Sequence, residues 1–298
     1  MMTAIRHLAV SRDGSLLAGA EFKEVVHLYD LSSRTRLRTF NSTLDFGGSR
    51  IAVSHDGSVL AIGAYQRHGI AAYRSADGSE LWRRKDLKKV QRVVFSHAGD
   101  RIYCCFDESA CQKLDALNGK SGQTLRGVRD VWTSGFGPEC LLECAENYVL
   151  RNEVSDVSVI PKASFAGLSA AFSPISVCLS EAGGPVRAFS IETGMLLWRH
   201  DPPEGTHFLR LAYQKSNDQF VGVSWPFKNG GNCSLCRFDR DTGDSYLVVD
   251  FPSAKKCVFW RNGSRLITAS GAVIDVDSGR IDAILDFPPK RSKDCEIE

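Results

Sequence analysis

One eight-residue string constrains this chain more than any other, because it comes back. Ser11-Arg12-Asp13-Gly14-Ser15-Leu16-Leu17-Ala18 reappears as Ser54-His55-Asp56-Gly57-Ser58-Val59-Leu60-Ala61, and in weaker form as Ser96-His97-Ala98-Gly99-Asp100-Arg101-Ile102-Tyr103. Each copy is a tight Asx/Gly turn between a short apolar run and a run of small apolar residues, the pattern of two strands joined by a hairpin. A period of about forty residues marks a chain assembled from supersecondary units that bury their faces on one another.

The remaining units follow the same plan with more drift. The runs before the turns lie at 7–10, 51–53, 93–95, 131–135, 170–172, 209–213 and 257–259. The turns themselves are Asp13-Gly14, Asp56-Gly57, Ala98-Gly99, Gly137-Pro138, Pro174-Ile175, Asn217-Asp218 and Asn262-Gly263, spaced 37 to 45 residues apart. The runs after them, at 16–20, 60–64, 101–106, 140–144, 177–180, 220–225 and 266–269, are apolar on both faces, which predicts strands covered on both sides. A hairpin around an Asp-x-x-Ser/Thr-Gly type of turn completes the unit, most clearly at 186–198 and again at 70–82, 234–249 and 272–285. Near the C-terminus, Ile281, Ala283 and Leu285 alternate with Asp282, Ile284 and Asp286, as in a half-exposed outer strand.

Four strands in about forty residues is the size of one propeller blade, and seven such units fill the chain. The expected fold is all-β: a seven-bladed β-propeller with four antiparallel strands per blade, forming one domain over residues 1–289. Blades are expected at about 1–42, 43–86, 87–126, 127–163, 164–203, 204–252 and 253–289, with 290–298 a disordered tail of mixed charge after Pro288-Pro289. The last unit supplies its own outer strand near 280–287, and only about five residues precede the first inner strand. Closure should therefore rest on packing of blade 1 against blade 7, and the ring should open there first.

The run from Leu16-Leu17-Ala18-Gly19-Ala20 to Val26-His27-Leu28-Tyr29-Asp30 resembles the WD-repeat family, with Tyr29-Asp30 in the place of the Trp-Asp dipeptide that ends the third strand. Leu114-Asp115, Phe238-Asp239 and Ile274-Asp275 occupy similar places. No unit carries the Trp-Asp pair itself, and Thr206-His207 is a loose echo of the family's Gly-His pair, so the family's His/Asp network is not expected to be intact. Gly78-Ser79-Glu80-Leu81-Trp82 and Gly194-Met195-Leu196-Leu197-Trp198 resemble a second type, the quinoprotein propellers, whose repeats end in a turn glycine followed by a docking tryptophan. Both tryptophans are expected to wedge neighbouring blades together, burying ~200 Å² each.

Charge and cysteine content narrow the function. Lysine and arginine number 37 against 35 acids, a formal charge of +2, without the excess needed to hold a phosphate backbone, so nucleic acid is not expected as a partner. The N-terminal segment has no signal-peptide apolar stretch and no run is long enough to span a bilayer, which predicts a cytoplasmic protein with no membrane insertion. Ten cysteines sit mainly in apolar strand-like runs, where reduced cysteine packs as a small hydrophobe.

Candidate chemistry is sparse. Cys104-Cys105 matches in kind the adjacent cysteine pair of quinoprotein alcohol dehydrogenases, but the two lie in a strand-like run where successive side chains face opposite ways. Cys233 and Cys236 have zinc-knuckle spacing without a second pair, and positions three apart on a strand also face opposite ways. Cys140 and Cys144 share a face without partner ligands. Seven histidines are scattered, and no metalloprotease, nucleophile-elbow or phosphate-loop motif occurs. No cofactor, metal or catalytic activity is expected.

Loops on a rigid scaffold are where binding groups collect. Connections after the second and fourth strands surround the channel on one face, and there the chain places aromatics among basic residues. Phe46 precedes one blade. Tyr65, Arg67 and His68 follow a second strand, Trp132 lies beside Arg129 at the start of another blade, and Trp225, Phe227 and Lys228 form the longest insertion. Aromatics mixed with arginine match the composition of protein-binding hot spots. The expected function is a non-catalytic protein–protein interaction scaffold or a subunit of a larger assembly. The alternative is an enzyme or small-molecule sensor, lactonase-like or quinoprotein-like, working through the central channel.

Overall fold

The computed structural model describes residues 5–21, 25–42, 50–65, 68–106, 110–152, 156–163, 167–226, 231–252, 256–260 and 262–289. They form seven four-stranded antiparallel sheets, each made of four consecutive strands, arranged as the blades of a propeller. First strands run from Ile5–Val10 in blade 1 through Arg50–Val53, Val90–Phe95, Asp130–Thr133, Gly167–Phe172 and Thr206–Gln214 to Cys257–Trp260 in blade 7. The tail at 290–298 lies outside the described residues.

The recurrent string makes its turn through one carboxylate. Asp13 accepts from the Ser11 hydroxyl at 2.6 Å and from the Ser15 amide at 2.9 Å, while the Ser11 oxygen takes the Leu16 amide at 2.8 Å. Asp56 repeats this with Ser54 and Ser58 at 2.7 and 3.0 Å. These bonds hold both carboxyls below the usual carboxylate range; at Asp56 the Ser54 hydroxyl is the largest influence, whereas at Asp13 burial is the largest and opposes them. The third-strand aspartates close the outer hairpin in the same way: Asp30 takes the amides of Ser32 and Ser33, Asp115 those of Leu117 and Asn118, and Asp239 those of Asp241 and Thr242. The aspartate that ends a third strand thus satisfies turn amides that no sheet partner can reach.

Small second-strand residues let neighbouring sheets approach closely. Seven apolar clusters result, one at each of the seven blade interfaces. Strand alternation separates the cysteine pairs as the pattern requires: Cys104 joins the cluster between blades 2 and 3, Cys105 the one between blades 3 and 4. Cys233 faces blade 7, and Cys236 packs against the cluster shared with blade 5.

Trp82 and Trp198, on fourth strands, dock onto the outer turn of the next blade. The Trp82 indole N–H donates to the Ala116 carbonyl at 2.9 Å, and that of Trp198 to the Arg240 carbonyl. The facing turn residue must be glycine twice over. Gly119 and Gly243 have φ of 68° and 76°, and a Cβ on either would lie 2.6 Å from the tryptophan ring. Each docked indole contributes roughly 4–5 kcal/mol of gross apolar burial.

Buried polar pairs stand at the ends of three second strands. Glu21 meets His27 at 2.7 Å, Glu143 meets Lys162 at 2.7 Å, and Glu181 meets Arg187 at 2.9 Å while accepting from the Tyr148 hydroxyl.

Among the described residues, no strand is exchanged between blades 1 and 7. The seam closes by side chains. Trp260 donates its indole N–H to the Gly14 carbonyl at 2.8 Å, the Tyr29 hydroxyl donates to the Asp286 carbonyl at 3.2 Å, and the Tyr29 and Phe287 rings lie 5.1 Å apart. Leu285 and Phe287, just past the last strand, are buried with Leu17, Tyr29 and Leu31 of blade 1. These two side chains do the work that an exchanged strand would otherwise perform.

Candidate functional site at the channel mouth

The first strands are innermost, so their register decides what lines the central channel. Counting back four residues from Ser11, Ser54, Ser96, Ser134, Ser173 and Gln214, at the matching end of each first hairpin, gives His7, Arg50, Arg92, Asp130, Ser169 and Arg210. Four residues 40 or more positions apart in sequence, His7, Arg50, Arg92 and Arg210, line one channel at one level. Lys256 and Arg6 lie near them, close enough to act on His7 electrostatically.

Each arginine leans on the neighbouring blade. Arg50 donates through Nε to the Gln91 carbonyl of blade 3. Arg210 donates to the Leu209 carbonyl at 2.7 Å and to the Cys257 carbonyl of blade 7 at 3.3 Å. Arg92 pairs with Asp130 of blade 4 at 3.2 Å, and its guanidinium sits 5.5 Å from the Trp132 ring centroid. Carbonyls and an indole fix these side chains, leaving Asp130 as the one carboxylate paired within the ring among the described residues.

The cations perturb one another. Burial, then Lys256, Arg50, Arg210 and Arg6, push the His7 imidazole down to about 3 from 6.5, so it is neutral at physiological pH. Burial, then Arg6 and Arg50, lower Lys256 to about 8. Arg50 and Arg210 are lowered too, first by burial, and Asp130 is raised by burial against the pull of Arg92.

Below this ring the lining mixes apolar residues, among them Ala9, Ile51, Val94, Ala170, Ala212 and Val258, with Ser96, Thr133 and Ser134, and the channel from mouth to base has a volume of about 530 Å³. Two contacts cross its far end. Arg12 of blade 1 donates to the His97 carbonyl of blade 3 at 3.1 Å, and Phe136 of blade 4 meets Tyr213 of blade 6 edge-on at 5.3 Å. Both skip a blade, which side chains manage only close to the axis. The channel is thus a funnel, basic at its mouth and crossed at its base.

Connections after second strands open on the face where first strands begin, so the aromatic residues singled out from the sequence share the face of the arginine ring. Tyr65 is 47% exposed and His68 half-buried in the same connection of blade 2. Trp225, half-buried at the end of a second strand in blade 6, stands 5.5 Å edge-on to His207 and packs against the blade 6–blade 7 cluster. Trp132 is only 5% exposed, packed 6.4 Å from Tyr148 in the blade 4–blade 5 core, so it supports Arg92 from behind and offers a partner little surface. Phe46, Arg67, Phe227 and Lys228 lie outside the described residues. The ring of His7, Arg50, Arg92 and Arg210 escaped sequence inspection; its signal was identity of register relative to the first turn.

Among the described residues, no group of three or more His, Cys, Asp or Glu side chains is placed to hold a metal ion, and no helix is long and apolar enough to cross a membrane.

No protein-family model matches the chain, and no curated protein matches it in sequence. Solved structures do match in fold. The WD40 repeats of RRP9 align with a TM-score of 0.69 at 15% identity over 90% of this chain and 87% of that one. A chain of the mitotic checkpoint complex aligns at 0.73 and 13% identity over 93% and 88%. The β-propeller domain of Myceliophteria thermophila Cps50 (Swd1) aligns at 0.70 and 12% identity over 93% and 96%. The fold is that of the WD-repeat propellers.

Proposed function

We propose that this protein is a non-catalytic interaction scaffold in the cytoplasm, working alone or as a subunit of a larger assembly, and that it receives protein partners on the face that carries the channel mouth. The observation that carries the reading is that this face bears an exposed Tyr65, in the connection after a second strand of blade 2, and a half-buried Trp225, at the end of a second strand of blade 6. Arg67, Phe227 and Lys228 continue these same two connections in the chain, and Phe46 precedes a blade on this side; all four belong to the proposed surface. One of the similar folds is a chain of the mitotic checkpoint complex, in keeping with the reading.

The test is quantitative capture of partners from native cells by wild type, by a Tyr65→Ala/Trp225→Ala variant, and by Ile175→Ala, which changes an exposed residue in a first turn on the opposite face. Partners should be lost from the double variant and kept by Ile175→Ala, with both variants as thermally stable as wild type. Equal capture by all three refutes this placement of the surface.

A further inference from the structure

The geometry points to a second site within this molecule: the mouth of the channel, formed by His7, Arg50, Arg92 and Arg210, binds a compact phosphate-class anion carrying two or more charges. This goes beyond protein capture and does not depend on it.

Four observations carry it. First, the arginines come from blades 2, 3 and 6 at one level, so they surround the axis. Convergent guanidinium groups suit a compact oxyanion, whereas an extended chain calls for charges spaced along a groove. Second, each guanidinium is anchored by a carbonyl or an aromatic face of a neighbouring blade: Arg50 by Gln91, Arg210 by Cys257, Arg92 by Trp132. The carbonyl contacts of Arg50 to Gln91 and of Arg210 to Cys257 occupy one N–H of each and fix its aim without neutralising its charge, while among the described residues Arg92 alone of the three is paired with a carboxylate, so little side-chain freedom is left to lose on binding. Third, Asp130 is the one carboxylate paired in the ring among the described residues, against three arginines with Lys256 and Arg6 nearby. Fourth, the channel that the ring opens into has a volume of about 530 Å³ from mouth to base and is crossed at its base by Arg12 and by Phe136 on Tyr213, a volume and shape for a small ligand. Burial and mutual repulsion already depress the titration of His7 and Lys256, which an arriving anion would relieve.

The test uses the full chain with inorganic phosphate, pyrophosphate and tripolyphosphate in calorimetric titrations at constant ionic strength, with sulfate as the geometric control and a phosphoserine peptide as the alternative source of the group. Affinity should rise with each added phosphate and exceed that for sulfate. Arg50→Gln should weaken pyrophosphate binding by about tenfold or more, the loss of one charge-assisted contact. Arg199→Gln, on the outer strand of blade 5, should leave it unchanged. Bound pyrophosphate should also raise the His7 imidazole titration read by NMR, a signal that a merely structural role for the ring would not give. Absence of binding, equal binding of sulfate, or insensitivity to Arg50→Gln overturns the site. A phosphoserine peptide that binds tenfold tighter than every free anion overturns the small-ligand assignment.

Discussion

Replacing Gly119 by alanine tests whether the docked tryptophans hold the ring together. Two costs add. Gly119 has φ of 68°, where an L residue is strained by about 1–2 kcal/mol. Its new Cβ would sit 2.6 Å from Cδ2 and 2.7 Å from Cε3 of Trp82, well inside the usual carbon–carbon separation of about 3.5–4.0 Å. Relieving that overlap within a packed interface costs about 1–3 kcal/mol. The sum, about 2–5 kcal/mol, should lower the melting temperature by roughly 5–15 °C in a chain of this size. Trp82→Ala alone should cost about 3–5 kcal/mol. Only the backbone part of the Gly119 penalty should survive once the ring is gone, so the double variant should recover about 1–3 kcal/mol relative to additivity. Circular dichroism melts of the four proteins give the cycle. Additivity within about 0.5 kcal/mol would refute the claim that the indole and this turn are in contact.

Two further outcomes follow from other parts of the ring. His7 titrates near 3 folded and near 6.5 unfolded, so between those values the unfolded chain binds the extra proton; its contribution is complete above pH 6.5 and is lost as pH falls toward 3. Denaturant midpoints of wild type should therefore fall more steeply from pH 7 to pH 4 than those of His7→Asn, and parallel slopes would contradict the assignment. Among the described residues the seam between blades 1 and 7 is closed by side chains, so hydrogen exchange should be faster in Thr35–Asn41 and Ile281–Ile284 than in Glu80–Arg84, and Trp260→Phe, which removes the bond to Gly14, should widen that gap.

Architecture was legible because it is written locally. Asp13 and Asp56 sit beside the serines they bind, and Gly119 and Gly243 mark outer turns whose partners lie one unit back in the chain. The channel site was not legible in the same way. Arg50, Arg92 and Arg210 each read as an ordinary polar residue at a strand start, and they become one site only when closure brings blades 2, 3 and 6 around an axis. Trp132 shows the opposite error. Its basic neighbour Arg129 suggested a surface, while strand alternation carries the ring inward, opposite Leu141 and against Tyr148. A residue's neighbours in sequence indicate exposure poorly where every second side chain enters an interface.

A sheet made wholly of consecutive strands has a consequence for the ring as an evolving object. Because each sheet among the described residues is made of four consecutive strands, any connection between two blades could be cut without severing a single sheet. Duplication or deletion of one forty-residue unit would likewise leave every remaining hairpin ladder intact, changing only the curvature the interfaces must absorb. Blade number in such a ring is set by interface angle, and the phase of the chain around the axis is free to drift. Closure by Leu285, Phe287 and Trp260 is then a local adaptation at the joint between blades 7 and 1.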